Sequence, residues 1–423
     1  MFSEEWIYSF TYIKYNGHVR GSLTGSDVMD DTSNIYYVLN RDRGVIVPAI
    51  VGNSKQTRAQ VGNSWEVVPR RLPLQIQPTN ASLYLTSNCN LACKYCYIAP
   101  YKKEFRNELP TDAWKRVLDI LYDYGVRFVN FIGGEPLLRK DLAELIGYAD
   151  DIGYAGIELS TNATLLDRNH ALIDMVKNLK ANFVIDTSLD SSLENQNNAV
   201  RGAYKQVLSG IRYVVDQGVM LSVASVVTNA NYESIPSFVK FLVDLGVKQM
   251  QLNTLIPIEP GQKPLYIDDR ELLWKISESC RRLKDEYKGR ISLECRLGLP
   301  VLSGESDAYV DNVAMRETSF SGCPATRREI YVLPDGRLIA CPMFISKNMF
   351  MSAKSILDDT FENIWVKDGS INEFRRGLLQ PTDARCEVCK YGEICRGGCK
   401  ALAYYISGSI DKKDPRCTLY LQE

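Results

Sequence analysis

From residue 81 to about residue 294, short apolar runs alternate with stretches whose Leu, Ile and Val recur at helical spacing. The runs at 81–86, 128–132, 156–160, 183–188, 220–227 and 249–255 read as strands. Segments 111–124, 141–152, 168–177, 204–217, 234–245 and 268–287 read as amphipathic helices. Such alternation predicts parallel strands joined by crossover helices, an α/β fold. Six units are fewer than the eight that close a barrel, so the expected architecture is a partial (β/α)6 barrel. Chemistry in such folds sits at the carboxyl ends of the strands.

The flanks follow other patterns. Segments 6–15, 34–39 and 45–51 are aromatic or β-branched runs among Gly, Asn and Asp turns, and predict a small β-rich module over 1–78. Its end, 72–78, carries two prolines and reads as a linker. The barrel is expected over 79–299. Beyond 300 the alternation stops. Runs 329–333 and 338–341 flank Pro334-Asp335-Gly336 and predict a β-hairpin. Short helices are expected near 361–365 and 371–378. The rest of 300–423 is loop-rich and holds seven cysteines, so it is expected to fold around metal.

Charge narrows the partners. Across 423 residues the formal net charge is -1, which gives no basic excess for nucleic acid. The first ten residues are acidic and lack an apolar run, unlike a signal peptide. No run of about 18 apolar residues exists to span a bilayer, and a cytoplasmic location is expected.

The chain has 12 Cys and 2 His. Six disulfides would suit a small secreted scaffold, which this chain is not. Clustered thiolates with almost no imidazole instead select zinc or iron–sulfur clusters. Scarce His leaves proton transfer to Asp, Glu, Tyr, Lys or Cys, too many to single out one base.

Cys89, Cys93 and Cys96 lie in SNCNLACKYCY, directly after the first barrel strand, at C-x3-C-x2-C spacing. Three thiolates on one loop can hold three irons of a cubane and leave the fourth open. A structural zinc site is the alternative, but it needs a fourth ligand, and the sequence offers none nearby. With Tyr95 before the last Cys, the motif resembles the signature of the radical S-adenosylmethionine (SAM) superfamily. Gly133, Gly134, Glu135 and Pro136 in FIGGEP resemble that family's binding motif for the methionine amine. Glycines allow close backbone approach and a carboxylate can accept from an ammonium. The resemblance further implies that Ser160 and Asn162 (LSTNAT) and Ser188 and Asp190 (TSLDS) approach the ribose and carboxylate of SAM. Arg201 (AVRGAY) would pair with that carboxylate. Ser, Asn and Asp are also ordinary turn residues, and Glu135 could simply begin a helix. Relatives often have Gly where this chain has Ala163.

Cys323 and Cys341 flank Gly336; Cys386, Cys389, Cys395 and Cys399 follow as C-x2-C-x5-C-x3-C; Cys417 closes the set. The pattern resembles the SPASM domain, which holds two auxiliary 4Fe–4S clusters. Two zinc knuckles are the alternative. The resemblance implies that Cys323, Cys341 and Cys399 hold the first auxiliary cluster, and Cys386, Cys389, Cys395 and Cys417 the second. Cys295 is the expected extra ligand of the first, whereas Cys280 lies in an amphipathic helix and reads as a packed thiol.

The cofactors so implied are SAM and three 4Fe–4S clusters, with an electron donor such as flavodoxin or ferredoxin. The expected function is radical modification of a ribosomally made precursor peptide by a thioether or carbon–carbon crosslink, or by oxidation. Action on a small molecule in cofactor biosynthesis and a non-enzymatic zinc adaptor are the alternatives. Pro342 follows Cys341 where sulfatase-maturing relatives commonly have Asp, which argues against that activity. The 1–78 module could take an extended peptide on a strand edge or merely cap the barrel.

Overall fold

The computed structural model describes residues 35–40, 45–50, 65–68, 76–99, 107–297, 323–379, 383–389 and 392–417. The expected strand at 6–15 and the expected boundary at 299/300 lie outside them.

Strands β1 (Ile35–Asn40), β2 (Val45–Ile50) and β3 (Trp65–Val68) form an antiparallel sheet in the order β2-β1-β3. Two of these match the expected runs, and the third is short.

The main sheet has ten strands. Its parallel part comprises β4 (Asn80–Tyr84), β5 (Phe128–Ile132), β6 (Gly156–Thr161), β7 (Asn182–Ser188), β8 (Leu221–Val227), β9 (Gln249–Thr254) and β10 (Ser292–Arg296), adjacent in chain order. The intervening helices are α1 (Thr111–Asp123), α2 (Leu142–Ile152), α3 (His170–Val176), α4 (Glu194–Val200), α5 (Tyr204–Asp216), α6 (Ile235–Asp244) and α7 (Arg270–Glu286). The six expected strand–helix units are present. A seventh parallel strand, β10, pairs with β9. Its sequence SLECR buries only Leu293 fully, so the apolar pattern there is too thin to read.

At the other edge β11 (Glu329–Val332) pairs parallel to β4, then β12 (Arg337–Ile339) and β13 (Met351–Ser355) follow antiparallel. The expected hairpin exists, and it extends the barrel sheet. The cysteine-rich region is therefore built onto the barrel. Trp365 donates its indole N–H to the Ile76 carbonyl at 2.8 Å, and Phe361 stacks on Tyr124 at 4.3 Å.

Strand alternation gives the sheet two faces. Leu83, Val129, Phe131, Ile157, Leu159, Ile185, Val223 and Leu252 face the helices in buried apolar clusters. Ser82, Asn130, Glu158, Ser160, Asp186, Ser222 and Gln251 occupy the opposite, lumen-facing stripe. Hydrogen bonds there run from strand to strand: Ser160 to Asn130 at 3.1 Å and Gln251 to Ser222 at 3.4 Å.

Candidate functional site

The cysteine loop leaves the carboxyl end of β4. Lys94 N–H donates to the Val200 carbonyl at 2.8 Å, fastening the loop to the end of α4. Within the loop the three thiols lie in electrostatic contact. Burial pushes the Cys93 thiol up, Arg201 opposes this, and Cys96 and Cys89 add to it.

Gly133 and Gly134 serve this loop. Gly134 N–H donates to Thr86 O and Glu135 N–H to Asn88 O, each at 2.7 Å. A Cβ on Gly134 would stand 2.1 Å from Asn88 O, and one on Gly133 2.4 Å from Thr86 O. The glycines let two backbones touch just before Cys89. Gly134→Ala is expected to displace the loop and cost the protein the irons of this cluster, read by iron analysis of anaerobically purified protein. Unchanged iron would refute this role.

Glu135 and Asp190 are both held by donors of the barrel itself. Glu135 is fully buried, and its carboxylate accepts from Thr161 Oγ1 (2.6 Å), Asn162 N (2.7 Å) and Leu137 N (3.0 Å). It ties the β5 end to the β6 end. Asp190 is 2% exposed, and its carboxylate accepts from Arg201 Nε (2.8 Å), Val226 N (2.9 Å) and the Tyr95 hydroxyl. It therefore positions Arg201 and Tyr95. Arg201 lies over the Tyr95 ring at 5.1 Å, with its guanidinium in electrostatic reach of Cys93 and Cys96. Pro136 opens the short turn after Glu135 and is buried.

Ser160 and Ser188 end β6 and β7. Asn162 turns to the cysteine loop: its Nδ2 donates to Asn90 Oδ1 at 2.7 Å and lies 3.8 Å from Cys89 Sγ. A sulfur that receives an amide N–H is a second role that residue type alone did not suggest. Ala163 sits at φ +63°, the left-handed conformation that glycine takes without strain.

The C-terminal thiols fall into two groups. Cys341 is pushed well up by burial and by Cys323 and Cys399, and Cys323 to about 11 by burial and Cys399. Cys395 rises to about 12, chiefly by burial, with Cys417 and Cys386 contributing, and Cys386 feels Cys417 and Cys389. Thiols held protonated by burial would lose their protons on binding a metal, which takes the thiolate form. Lys400 lies between the groups, 1% exposed. Its Nζ has no hydrogen-bond partner among the described residues, and Cys386, Asp411, Cys395 and Cys323 are in electrostatic reach. A buried ammonium without a partner is costly, and anionic iron–thiolate clusters on either side would supply the missing charge. Among the described residues no three ligating side chains close on a single ion. Cluster thiolates each bind a different iron, which needs a wider spread.

Cys295 has a partner that its sequence position did not show. On β10 it faces α7, where its thiol accepts from Cys280 and is lowered to about 7 by that bond. Arg296, the next residue, takes the opposite face. The strand thus directs Cys295 into the helix layer, away from Cys323, Cys341 and Cys399. Cys280 is buried, as expected of a packed thiol.

Tyrosines join the sites. Tyr84 and Tyr97 share a hydroxyl–hydroxyl hydrogen bond of 2.9 Å. Tyr97 feels both Cys96 and Cys341, and Tyr331 feels Cys323 and Cys341. These rings therefore stand between the β4 loop thiols and the first C-terminal group.

Comparison with known proteins accords with this geometry. Residues 83–242 match the radical SAM superfamily model, and residues 323–396 match the SPASM iron–sulfur cluster-binding domain. The AdoMet-dependent heme synthase of Nitratidesulfovibrio vulgaris is 25% identical over 349 residues, covering 79% of this chain and 90% of that protein. The PqqA peptide cyclase of Bradyrhizobium diazoefficiens is 26% identical over 360 residues, covering 81% of this chain and 86% of that protein. The solved structure of Streptococcus suis SuiB bound to S-adenosylmethionine shares the fold, with TM-score 0.67, 19% identity and coverage of 81% of this chain and 78% of that one. A thiol-bearing loop at the head of a partial barrel and a thiol-rich extension of the same sheet are thus accounted for together: the chain belongs to the radical SAM superfamily and is a radical SAM enzyme with a SPASM domain.

Proposed function

We propose that the enzyme modifies a ribosomally made precursor peptide, by a thioether or carbon–carbon crosslink or by side-chain oxidation. The observation that carries this reading is that Tyr97 is in electrostatic reach of both Cys96 of the SAM-side loop and Cys341 of the first C-terminal group, which brings the two thiol groups to one region. A substrate there would meet a hydrogen-abstracting radical on one side and an electron acceptor on the other. The named activity of the PqqA peptide cyclase supports the same reading.

In this proposal Cys89, Cys93 and Cys96 hold a 4Fe–4S cluster. Cys323, Cys341 and Cys399 hold a second, and Cys386, Cys389, Cys395 and Cys417 a third. When bound and reduced, the first cluster with SAM supplies a carbon radical able to take hydrogen from a C–H bond. The chain's own residues do the rest. Asp190 and Tyr95 hold Arg201 above Cys93, where its free N–H groups can take the SAM carboxylate. Ser160 and Ser188 stand at the ribose, and Asn162 donates to the Cys89 sulfur. Gly133 and Gly134 let the loop seat against the barrel. A small acidic or iron–sulfur protein such as flavodoxin or ferredoxin would supply the electron, and the enzyme would act in the cytoplasm. The units 1–78, 79–299 and 300–423 would serve as an accessory module, the radical barrel and the auxiliary-cluster domain.

A tetrapyrrole substrate is the second reading, favoured by the heme synthase relative. The lumen speaks against it. Glu158, Asp186 and Glu329 line it, and a porphyrin carries carboxylates of its own.

The test is anaerobic incubation with SAM, a reductant and a short peptide encoded beside the gene, followed by mass spectrometry. A loss of two mass units in the peptide is expected. Modification of a porphyrin with the peptide untouched would overturn the proposal.

A further inference from the structure

Barrel interiors are usually plugged by branched apolar side chains. Here the lumen-facing stripe is polar and acidic. Glu158 on β6, Asp186 on β7, Glu294 on β10 and Glu329 on β11 all belong to it. Arg296 of β10 is the basic group on this face, and Glu294 already holds it through two contacts of 2.8 Å. Among the described residues the other three carboxylates have neutral donors: Ser82 to Glu329 at 2.9 Å, Ser160 to Glu158 at 3.3 Å, and Ser222 to Asp186. Asp186 Oδ1 is sealed from solvent and accepts no hydrogen bond from a described residue. Four carboxylates against one guanidinium leave a net charge of -3 on the described part of this face when all are ionised. Burial pushes Glu158 to about 7, with Asp186 adding to it, and raises Asp186 to about 6 and Glu329 to about 7. Arg296, Arg201 and Arg328 oppose these shifts without cancelling them. Such crowding is relieved by a cation entering among the carboxylates.

Position gives that cation its source. Glu158 lies two residues before Ser160 on the same face of β6, and Asp186 two before Ser188 on β7. The acidic floor therefore begins level with Ser160, which Asp186 faces across the β6–β7 ladder, and continues one pleat below at Glu158. We propose that this floor is a specificity subsite that takes the ammonium of a lysine side chain of the substrate peptide. The aliphatic stem of that side chain then passes the radical's position, while its charged end rests on Glu158, Asp186 and Glu329. This rests on the peptide reading above and names the residue class it selects.

The test uses reconstituted, unreduced enzyme saturated with SAM. The probes are Nα-acetyl-lysine methylamide and its uncharged counterpart Nα-acetyl-norleucine methylamide, with binding followed by saturation-transfer NMR. The lysine probe is expected to bind at least tenfold more tightly, and more tightly at pH 8 than at pH 6, as the raised carboxyls ionise. Asp186→Asn/Glu158→Gln is expected to erase the preference, with iron content and circular dichroism reporting the fold. Glu329→Gln is the second variant should the double one not fold, and is expected to reduce the preference. Equal binding of the two probes to the wild type would overturn the proposal, as would a preference that survives both variants, or variants that weaken SAM binding alone. Exchanging lysine for norleucine in a processed peptide separates the two readings. Unimpaired processing of the exchanged peptide sinks the subsite and leaves peptide modification standing. Lysine-selective binding with no peptide modified sinks the peptide reading and leaves a cation subsite for another substrate.

Discussion

Cys93→Ala is expected to abolish 5′-deoxyadenosine production while leaving the C-terminal irons bound, about eight of about twelve on the proposed count of three clusters. Cys93 sits mid-loop, next to the Lys94 N–H that anchors the loop to Val200 O, and 3.9 Å from the Arg201 carbonyl. Alanine removes one of three thiolates from a cluster that has no spare, so the open-iron chemistry fails outright. The C-terminal thiols belong to other elements, with Cys323 and Cys341 bracketing the β11–β12 hairpin. Their irons should stay. Chromatography of anaerobic reactions with SAM and dithionite measures the first effect, and iron analysis the second. Deoxyadenosine persisting in the variant, or all iron lost, would count against the assignment.

Asp190→Ala is expected to cost about 3–5 kcal/mol of stability. The carboxylate gathers Tyr95 of the cysteine loop, Arg201 after α4 and the β8 backbone at Val226. Its own main chain is held by Asn197 at 3.2 Å and Asn231 at 2.9 Å. Truncation strands a guanidinium whose side chain is 15% exposed. The loss should come mainly from that unpaired charge. Asp190→Ala/Arg201→Met should therefore recover part of it, since no buried charge remains. Denaturant unfolding of the three proteins decides. A double variant no more stable than the single one would show that the pair itself is not the source.

The contrast between these residues shows what the chain makes legible. The six strand–helix units announced themselves through apolar periodicity, because every outer strand face meets a helix. β10 did not, since its short run SLECR buries a single apolar residue. The cysteine spacings were readable because cluster chemistry constrains them locally. The partners of Glu135 and Asp190 were hidden for a different reason: sequence names an acceptor but not the donors that bond to it. The partner of Cys295 was hidden for a related reason, since strand phase, not proximity in sequence, decides where a thiol points. Lys400 gave little sign either, since a lysine in a loop-rich stretch usually reads as solvated. The acidic lumen did leave a trace. IELST and VIDTS each place one carboxylate on the strand face opposite the buried apolar residues, whereas a buried parallel strand is normally apolar on both faces.

The pairing of β11 with β4 bears on how the protein is made. Ser82 and its partner Glu329 are separated by 247 positions. At ordinary translation speeds of about 5–20 residues per second, β4 waits roughly 12 to 50 s for its second neighbour. Through that interval the nascent barrel presents a bare strand margin to the crowded cell, a hazard for premature self-association. Cluster assembly at the first cysteine loop, which hangs from that same strand, would then be easiest after the ribosome has finished and the margin is sealed.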